Sequence, residues 1–152
     1  MEVYLVQHGE ALPKDTDPSR PLTDEGRSEL RRMAALLGRN INVERLVHSG
    51  KERARETAEI LMTMPGCSAP PEESRDLAPN DPVEPWAEKL KESDQSTMLV
   101  GHLPFMEKLT GHLTAGDAET RVFKFQNGGI VCIDADPDGG GWVIKWTLMP
   151  HI

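Results

Sequence analysis

The chain has 152 residues, 38% of them apolar and 28% charged, and no apolar run approaches the length of a membrane span. That is enough chain for one domain with a real core, expected over residues 1–152, and too little for two. Seventeen basic against twenty-five acidic residues give a formal charge of −8, which argues against nucleic acid as a partner yet leaves room for one compact phosphate pocket.

In chain order, Val3-Tyr4-Leu5-Val6 predicts a short buried strand that ends at Gln7-His8-Gly9 and so delivers His8 to a rim where the backbone turns. Four apolar residues behind Glu2 are too few for a secretory signal. Leu12 to Arg20, with Pro13 and Pro18, reads as a surface loop. Thr23, followed by Asp24 and Glu25, has the chemistry of a helix N-cap, and Leu30, Met33, Ala34 and Leu37 give that helix one buried face ahead of Gly38. Val43 to His48 predicts a second core strand, Ser49-Gly50 a turn, and Lys51 to Met64 a helix stopped by Pro65-Gly66.

Cys67 to Pro85 holds five prolines and reads mostly as loop, followed by a modest helix over Trp86 to Leu90. Thr97 to His102 then repeats the opening design, an apolar strand running into a histidine. Pro104 suits the first turn of the next helix, with Phe105, Leu109 and Leu113 as its stripe. Val122 to Phe125, Ile130 to Ile133 and Trp142 to Leu148 are strand-like, with Asn127-Gly128-Gly129 expected to turn between the first two. Strands alternating with helices, then a late strand cluster, predict an α/β fold: a three-layer α/β/α sandwich around a mixed, mostly parallel sheet.

Cys67 and Cys132 have no spacing that suggests zinc or redox work and are expected to be free thiols of a cytoplasmic protein. Asp134 to Gly139 imitates half of a calcium loop, but Lys145 holds the place of the bidentate glutamate, so a hairpin turn is expected there. His48 is assigned a structural hydrogen bond, His112 and His151 the surface. Arg31, Arg32, Arg39, Arg55 and Glu56 are read as solvated helix faces.

His8 and His102 both follow strands, and ligands of open α/β sheets collect at the carboxyl ends of strands. Arg20, closing the polar loop, and Arg53, in the first turn of the second helix, are the two arginines placed to reach the same rim. Imidazoles with guanidiniums suit a doubly charged tetrahedral anion. A guanidinium fork binds phosphate oxygens, a neutral imidazole can attack phosphorus, and a second can donate to the oxygens as charge shifts.

Gln7-His8-Gly9-Glu10-Ala11, Arg20-Pro21-Leu22-Thr23-Asp24-Glu25-Gly26, Ser49-Gly50-Lys51-Glu52-Arg53-Ala54-Arg55-Glu56-Thr57-Ala58 and Val100-Gly101-His102-Leu103-Pro104 resemble the histidine phosphatase superfamily. The short length, Leu77-Ala78-Pro79-Asn80-Asp81 and the Trp142 to Pro150 tail resemble its SixA-like phosphohistidine phosphatase branch. The resemblance implies that His8 accepts the phosphoryl group, that Arg20 and Arg53 clamp its oxygens, that His102 stabilises the transferring group, and that no metal or other cofactor takes part. The implied partner is a phosphorylated protein histidine or a small phosphate substrate, with no membrane involved and the protein a monomer.

Two departures stand out. Gln7 replaces the family's arginine, keeping an N–H donor for a phosphate oxygen but losing a charge-assisted bond, about 1–2 kcal/mol. Gly50 replaces the usual proline; Lys51 is a candidate to restore charge. The general acid is open among Asp81, Glu84 and Glu10, and phosphohistidine needs one least, because its ring leaves neutral once the nitrogen not bonded to phosphorus is protonated. Three competing readings stand: a general phosphomonoesterase of the same fold, a weakened phosphate-binding pseudophosphatase, and a metal hydrolase using His8, Glu10 and His102.

Overall fold

The computed structural model describes residues 1–136 and 138–152. Six strands and four helices follow in the order β1 (Glu2–Gln7), α1 (Asp24–Leu37), β2 (Arg45–His48), α2 (Glu52–Leu61), β3 (Pro71–Glu73), α3 (Glu84–Glu92), β4 (Thr97–Gly101), α4 (Phe105–Ala115), β5 (Ile130–Ala135) and β6 (Trp142–Leu148). The strands form one sheet ordered β3-β2-β4-β1-β5-β6. β3, β2, β4 and β1 run parallel, while β5 pairs antiparallel with β1 and with β6. This is the mixed, mostly parallel α/β sandwich expected.

Alternation along the central strands builds two cores. Tyr4, Val6, Leu46 and Met98 face α1 and α2, where Leu30, Met33, Leu37, Ala58 and Leu61 meet them. Val3, Leu5, Val47 and Leu99 face α3 and α4 and pack on Trp86, Leu90, Phe105 and Leu109. Strands buried on both faces explain the unbroken apolar runs that made β1 and β4 legible. No helix among the described residues is long and apolar enough to cross a membrane.

Helix α1 starts as its sequence dictates: the Thr23 hydroxyl accepts the Gly26 N–H at 2.9 Å, and Asp24 and Glu25 sit in the first turn. It ends at Gly38, whose positive φ of 48° lets its N–H return to the Ala34 carbonyl.

Four expectations need correction. The second helix stops at Leu61 rather than Met64, because the last turn tightens: Thr63 and Met64 donate to carbonyls three residues back. The loop from Cys67 contains β3, an edge strand that begins on Pro71, where the missing N–H costs no ladder bond. Val122 to Phe125 is not a strand and joins none of the six. Its alternation instead seats Phe123 and Phe125 edge to face, 5.6 Å apart, against the α4 core. Glu56 is no solvated residue; its carboxylate is 15% exposed and pairs with Arg27 at 2.8 Å. The turn expected over Asp134 to Gly139 includes Pro137, which lies outside the described residues; beside it the Asp136 N–H donates to the Gly141 carbonyl at 2.7 Å.

Backbone packing joins α1 to the segment after β1. A Cβ on Gly26 would lie 2.4 Å from the Glu10 carbonyl oxygen, a contact only backbone movement could relieve. Gly26→Ala is therefore expected to lower the unfolding free energy by about 2 kcal/mol despite alanine's better helix propensity, measured by urea denaturation. An unchanged midpoint would contradict this close approach.

Candidate active site

The parallel strands β1, β4 and β2 lie side by side, so the residues that follow them gather at one end of the sheet. His8 follows β1, His102 follows β4 and Ser49 follows β2. The two imidazoles are buried, their ring centres 5.1 Å apart and inclined by 53°.

The His8 tautomer follows from its neighbour. Nδ1 lies 2.7 Å from the Gly9 carbonyl oxygen, which can only accept, so Nδ1 carries the proton. Nε2 keeps its lone pair, which accepts a hydrogen bond from the Arg53 Nε–H at 3.3 Å. Burial holds the ring neutral, bringing its pKa down to about 4 against the Gly9 hydrogen bond, and the charges of Arg53 and Arg20 act in the same direction as burial. His102 is depressed further, to about 3, by burial first and then by His8, Arg53, Lys51 and Arg20. Its Nε2 meets the Ser49 hydroxyl at 2.6 Å, while its buried Nδ1 has no partner.

Arg20 has a positive φ of 49°, a conformation that costs a non-glycine residue about 1 kcal/mol or more. Its Nε donates to the Leu12 carbonyl at 3.0 Å. Burial lowers the pKa of Arg53, and the charge of Arg20 lowers it again, so the two guanidiniums stand close enough to repel. Among the described residues neither has a carboxylate within 4.0 Å. Two neutral imidazoles and two cations without counter-charge make a site for a small oxyanion.

The other sequence candidates stand elsewhere or are engaged. The Gln7 amide N–H donates to Asn127 at 2.7 Å, and its buried Oε1 has no partner. Gln7 and Glu10 line a cavity of about 350 Å³ with Glu29, Gln126, Asn127 and His151. Glu10 accepts the Thr23 hydroxyl at 2.8 Å, and Asp81 accepts the Ala78 N–H at 2.9 Å. Glu84 is exposed in the first turn of α3. His151, read as a tail residue, lies 2.9 Å from the buried Glu29 carboxylate. Lys51 precedes α2 and is exposed. Gly50 adopts φ 88°, closed to proline, and donates its N–H to His48 Nδ1 at 3.0 Å, so this turn is held by a hydrogen bond that proline could not make. Among the described residues no three His, Cys, Asp or Glu side chains gather as metal ligands.

Sequence reading missed Ser49 as the partner of His102 and missed Thr57, which is fully buried. The signal for Thr57 was its spacing of four from Arg53, on the face that carries Ala54, Ala58 and Leu61.

Residues 3–81 match the family model of the histidine phosphatase superfamily (branch 1), and the chain belongs to that superfamily. A protein histidine phosphatase SixA complexed with tungstate is 30% identical, with a TM-score of 0.82, covering 99% of this chain and 97% of its own. A structure assigned as a SixA phosphohistidine phosphatase from Agrobacterium tumefaciens is 24% identical, TM-score 0.77, covering 99% and 98%. The alpha-ribazole phosphatase of Shigella flexneri shares 18% identity at TM-score 0.79, covering 100% and 98%. The last two bear on the fold alone. No curated protein matched the sequence at significance.

The depressed histidines set the pH dependence of stability. Their folded pKa values lie below the ordinary 6.5, so between about pH 6.5 and 4 the unfolded chain binds more protons and stability falls as pH falls. Each ring contributes a slope of up to about 1.4 kcal/mol per pH unit in that window. Denaturant melts at pH 6.5 and pH 5 are expected to show a shallower loss in a His8→Asn/His102→Asn variant than in the wild type. Equal losses would contradict neutral, buried rings.

Proposed function

We propose that this protein is a metal-independent phosphohistidine phosphatase that works through a phosphorylated His8. The observation that carries the reading is the His8 tautomer: proton on Nδ1 against Gly9, lone pair on Nε2 beside two arginines with no carboxylate partner. The likeness to a SixA captured with tungstate, a tetrahedral oxyanion, supports the same use of the site.

In the first step the His8 Nε2 lone pair attacks phosphorus, and the bond from phosphorus to the substrate nitrogen breaks. That nitrogen keeps the bonding pair; with the ring's other nitrogen protonated, the substrate leaves as neutral imidazole. Arg20 and Arg53 hold the phosphoryl oxygens throughout. His102 stabilises the transferring group from its place 5.1 Å from the His8 ring. In the second step water attacks phosphorus, the bond to Nε2 breaks, and phosphate leaves with His8 neutral again.

The acid question favours a phosphoramidate over an alkyl ester. Among the described residues Glu10 accepts the Thr23 hydroxyl, Asp81 accepts the Ala78 N–H and Glu84 is exposed, and none of the three is hydrogen-bonded to the His8 ring. An alkoxide leaving group needs a proton donor and an imidazole does not. The Gln7 amide spends one of its two N–H donors on Asn127, and it brings no charge.

The test is a phosphohistidine peptide and a panel of small phosphate esters, assayed with and without chelator. Wild type is expected to hydrolyse the peptide, unaffected by chelator, and to show an acid-labile phosphoenzyme. His8→Ala is expected to lose at least about 10³-fold in rate and the phosphoenzyme with it. Rapid turnover of esters with the peptide inert would make the protein a phosphomonoesterase instead. Phosphate binding without any turnover would make it a pseudophosphatase.

A further inference from the structure

We propose that Glu56 and Thr57 of α2 are positioning residues: Thr57 aligns the nucleophile His8, and Glu56 holds the loop that carries Arg20. The proposal rests on the phosphotransfer reading above.

Arg53, Glu56 and Thr57 stand at i, i+3 and i+4, so they share one face of α2. The Thr57 hydroxyl has one proton and donates it to the Arg53 carbonyl at 2.7 Å. Its oxygen then accepts the Gly9 N–H at 3.0 Å, in an interior where Thr57 has no exposure. Gly9 is the residue whose carbonyl fixes the His8 tautomer. One glycine is thus gripped at both ends, by Thr57 at its N–H and by His8 at its carbonyl, and the grip leads back to the residue that supplies the guanidinium beside Nε2. Gly9 has no slack on its third side, because a Cβ there would meet Leu30 Cδ1 at 2.7 Å.

Glu56 secures the opposite wall. Its Oε1 accepts the Leu22 N–H at 3.0 Å, and its Oε2 accepts Arg27 Nε at 3.1 Å and Nη2 at 2.8 Å. Leu22 lies two residues beyond Arg20 and bridges to Ala11, while the Leu12 N–H reaches the Pro21 carbonyl at 2.8 Å. The loop from Leu12 to Pro21 is closed at its base, and that base is pinned to α2 by one carboxylate. Arg20 keeps its left-handed backbone only while the base holds.

The two residues act on different quantities, which separates positioning from general damage to the fold. Two measurements are made on the full chain: the single-turnover rate of His8 phosphorylation from a phosphohistidine peptide, and the Kd for inorganic phosphate. Thr57→Val keeps the shape and loses the hydroxyl; the phosphorylation rate is expected to fall about 100-fold while the Kd stays within about threefold. Thr57→Ser, which restores the hydroxyl, is expected to recover the rate to within about fivefold. Glu56→Ala is expected to weaken phosphate binding about tenfold, and Glu56→Gln, which still accepts from Leu22, by less. Thermal melts identify variants that do not fold; if Thr57→Val is one, Thr57→Cys carries the same comparison. A Thr57→Val rate within threefold of wild type, or rate and Kd falling together in both variants, would overturn the proposal. A wild type that neither phosphorylates His8 nor binds phosphate would instead remove the phosphotransfer reading, and this proposal with it.

Discussion

The hydrogen bond from His8 Nδ1 to the Gly9 carbonyl is the constraint on which the site turns. A neutral imidazole has one proton and two nitrogens, and only the nitrogen without the proton can attack phosphorus. A carbonyl oxygen 2.7 Å away settles the choice within the same two residues. The backbone leading into that glycine is fixed in turn: the His8 N–H donates to the Gly101 carbonyl at 3.0 Å, and the Gly128 N–H is shared between the Gln7 and His8 carbonyls at 2.9 and 3.0 Å. Two chain segments distant in sequence therefore hold the His8 backbone, and the sheet is what brings them together.

Charge at this end of the sheet differs from charge on the helix surfaces. Four arginines are paired with carboxylates, Arg27 with Glu56, Arg45 with Glu72, Arg55 with Glu52 and Glu59, Arg121 with Glu107. Arg20 and Arg53 have no such pairing among the described residues, and Arg53 donates to one of two rings that burial keeps neutral. Such a cluster destabilises the empty fold, through repulsion between cations, desolvation and the left-handed Arg20 backbone. The two cores bracketing the sheet supply the stability that offsets it. Under the proposed function a dianion would offset the same repulsion, so that binding energy would go into the geometry of transfer.

Much of this was legible in the residues. Buried parallel strands write unbroken apolar runs, so Val3 to Val6 and Met98 to Val100 announced both the sheet and the histidines at its rim. The capped start of α1 was written in Thr23 and its two acids. What stayed hidden depended on neighbours far along the chain. Whether Val122 to Phe125 becomes a strand is decided by tertiary packing, here of Phe123 and Phe125 on the α4 core, and alternation cannot say. Pro71 argued against a strand because a proline's tolerance depends on an edge position that only the sheet order reveals. Glu56 and Thr57 looked like ordinary helix residues, since their partners Leu22 and Gly9 lie 34 and 48 positions away. Gly50 looked like a loss relative to proline, and its positive φ and its bond to His48 show a different turn held by other means.

The central claim is that a neutral His8, protonated on Nδ1, presents Nε2 to the same anion that His102 faces. Nitrogen-15 spectra of the imidazole rings at neutral pH, recorded while inorganic phosphate is added, test it directly. The account predicts a His8 ring with its proton on Nδ1 and an unprotonated Nε2, and a single titration in which the His8 and His102 resonances move together. A His8 ring protonated on Nε2 or charged on both nitrogens, or phosphate that shifts one ring and leaves the other unmoved, would contradict it.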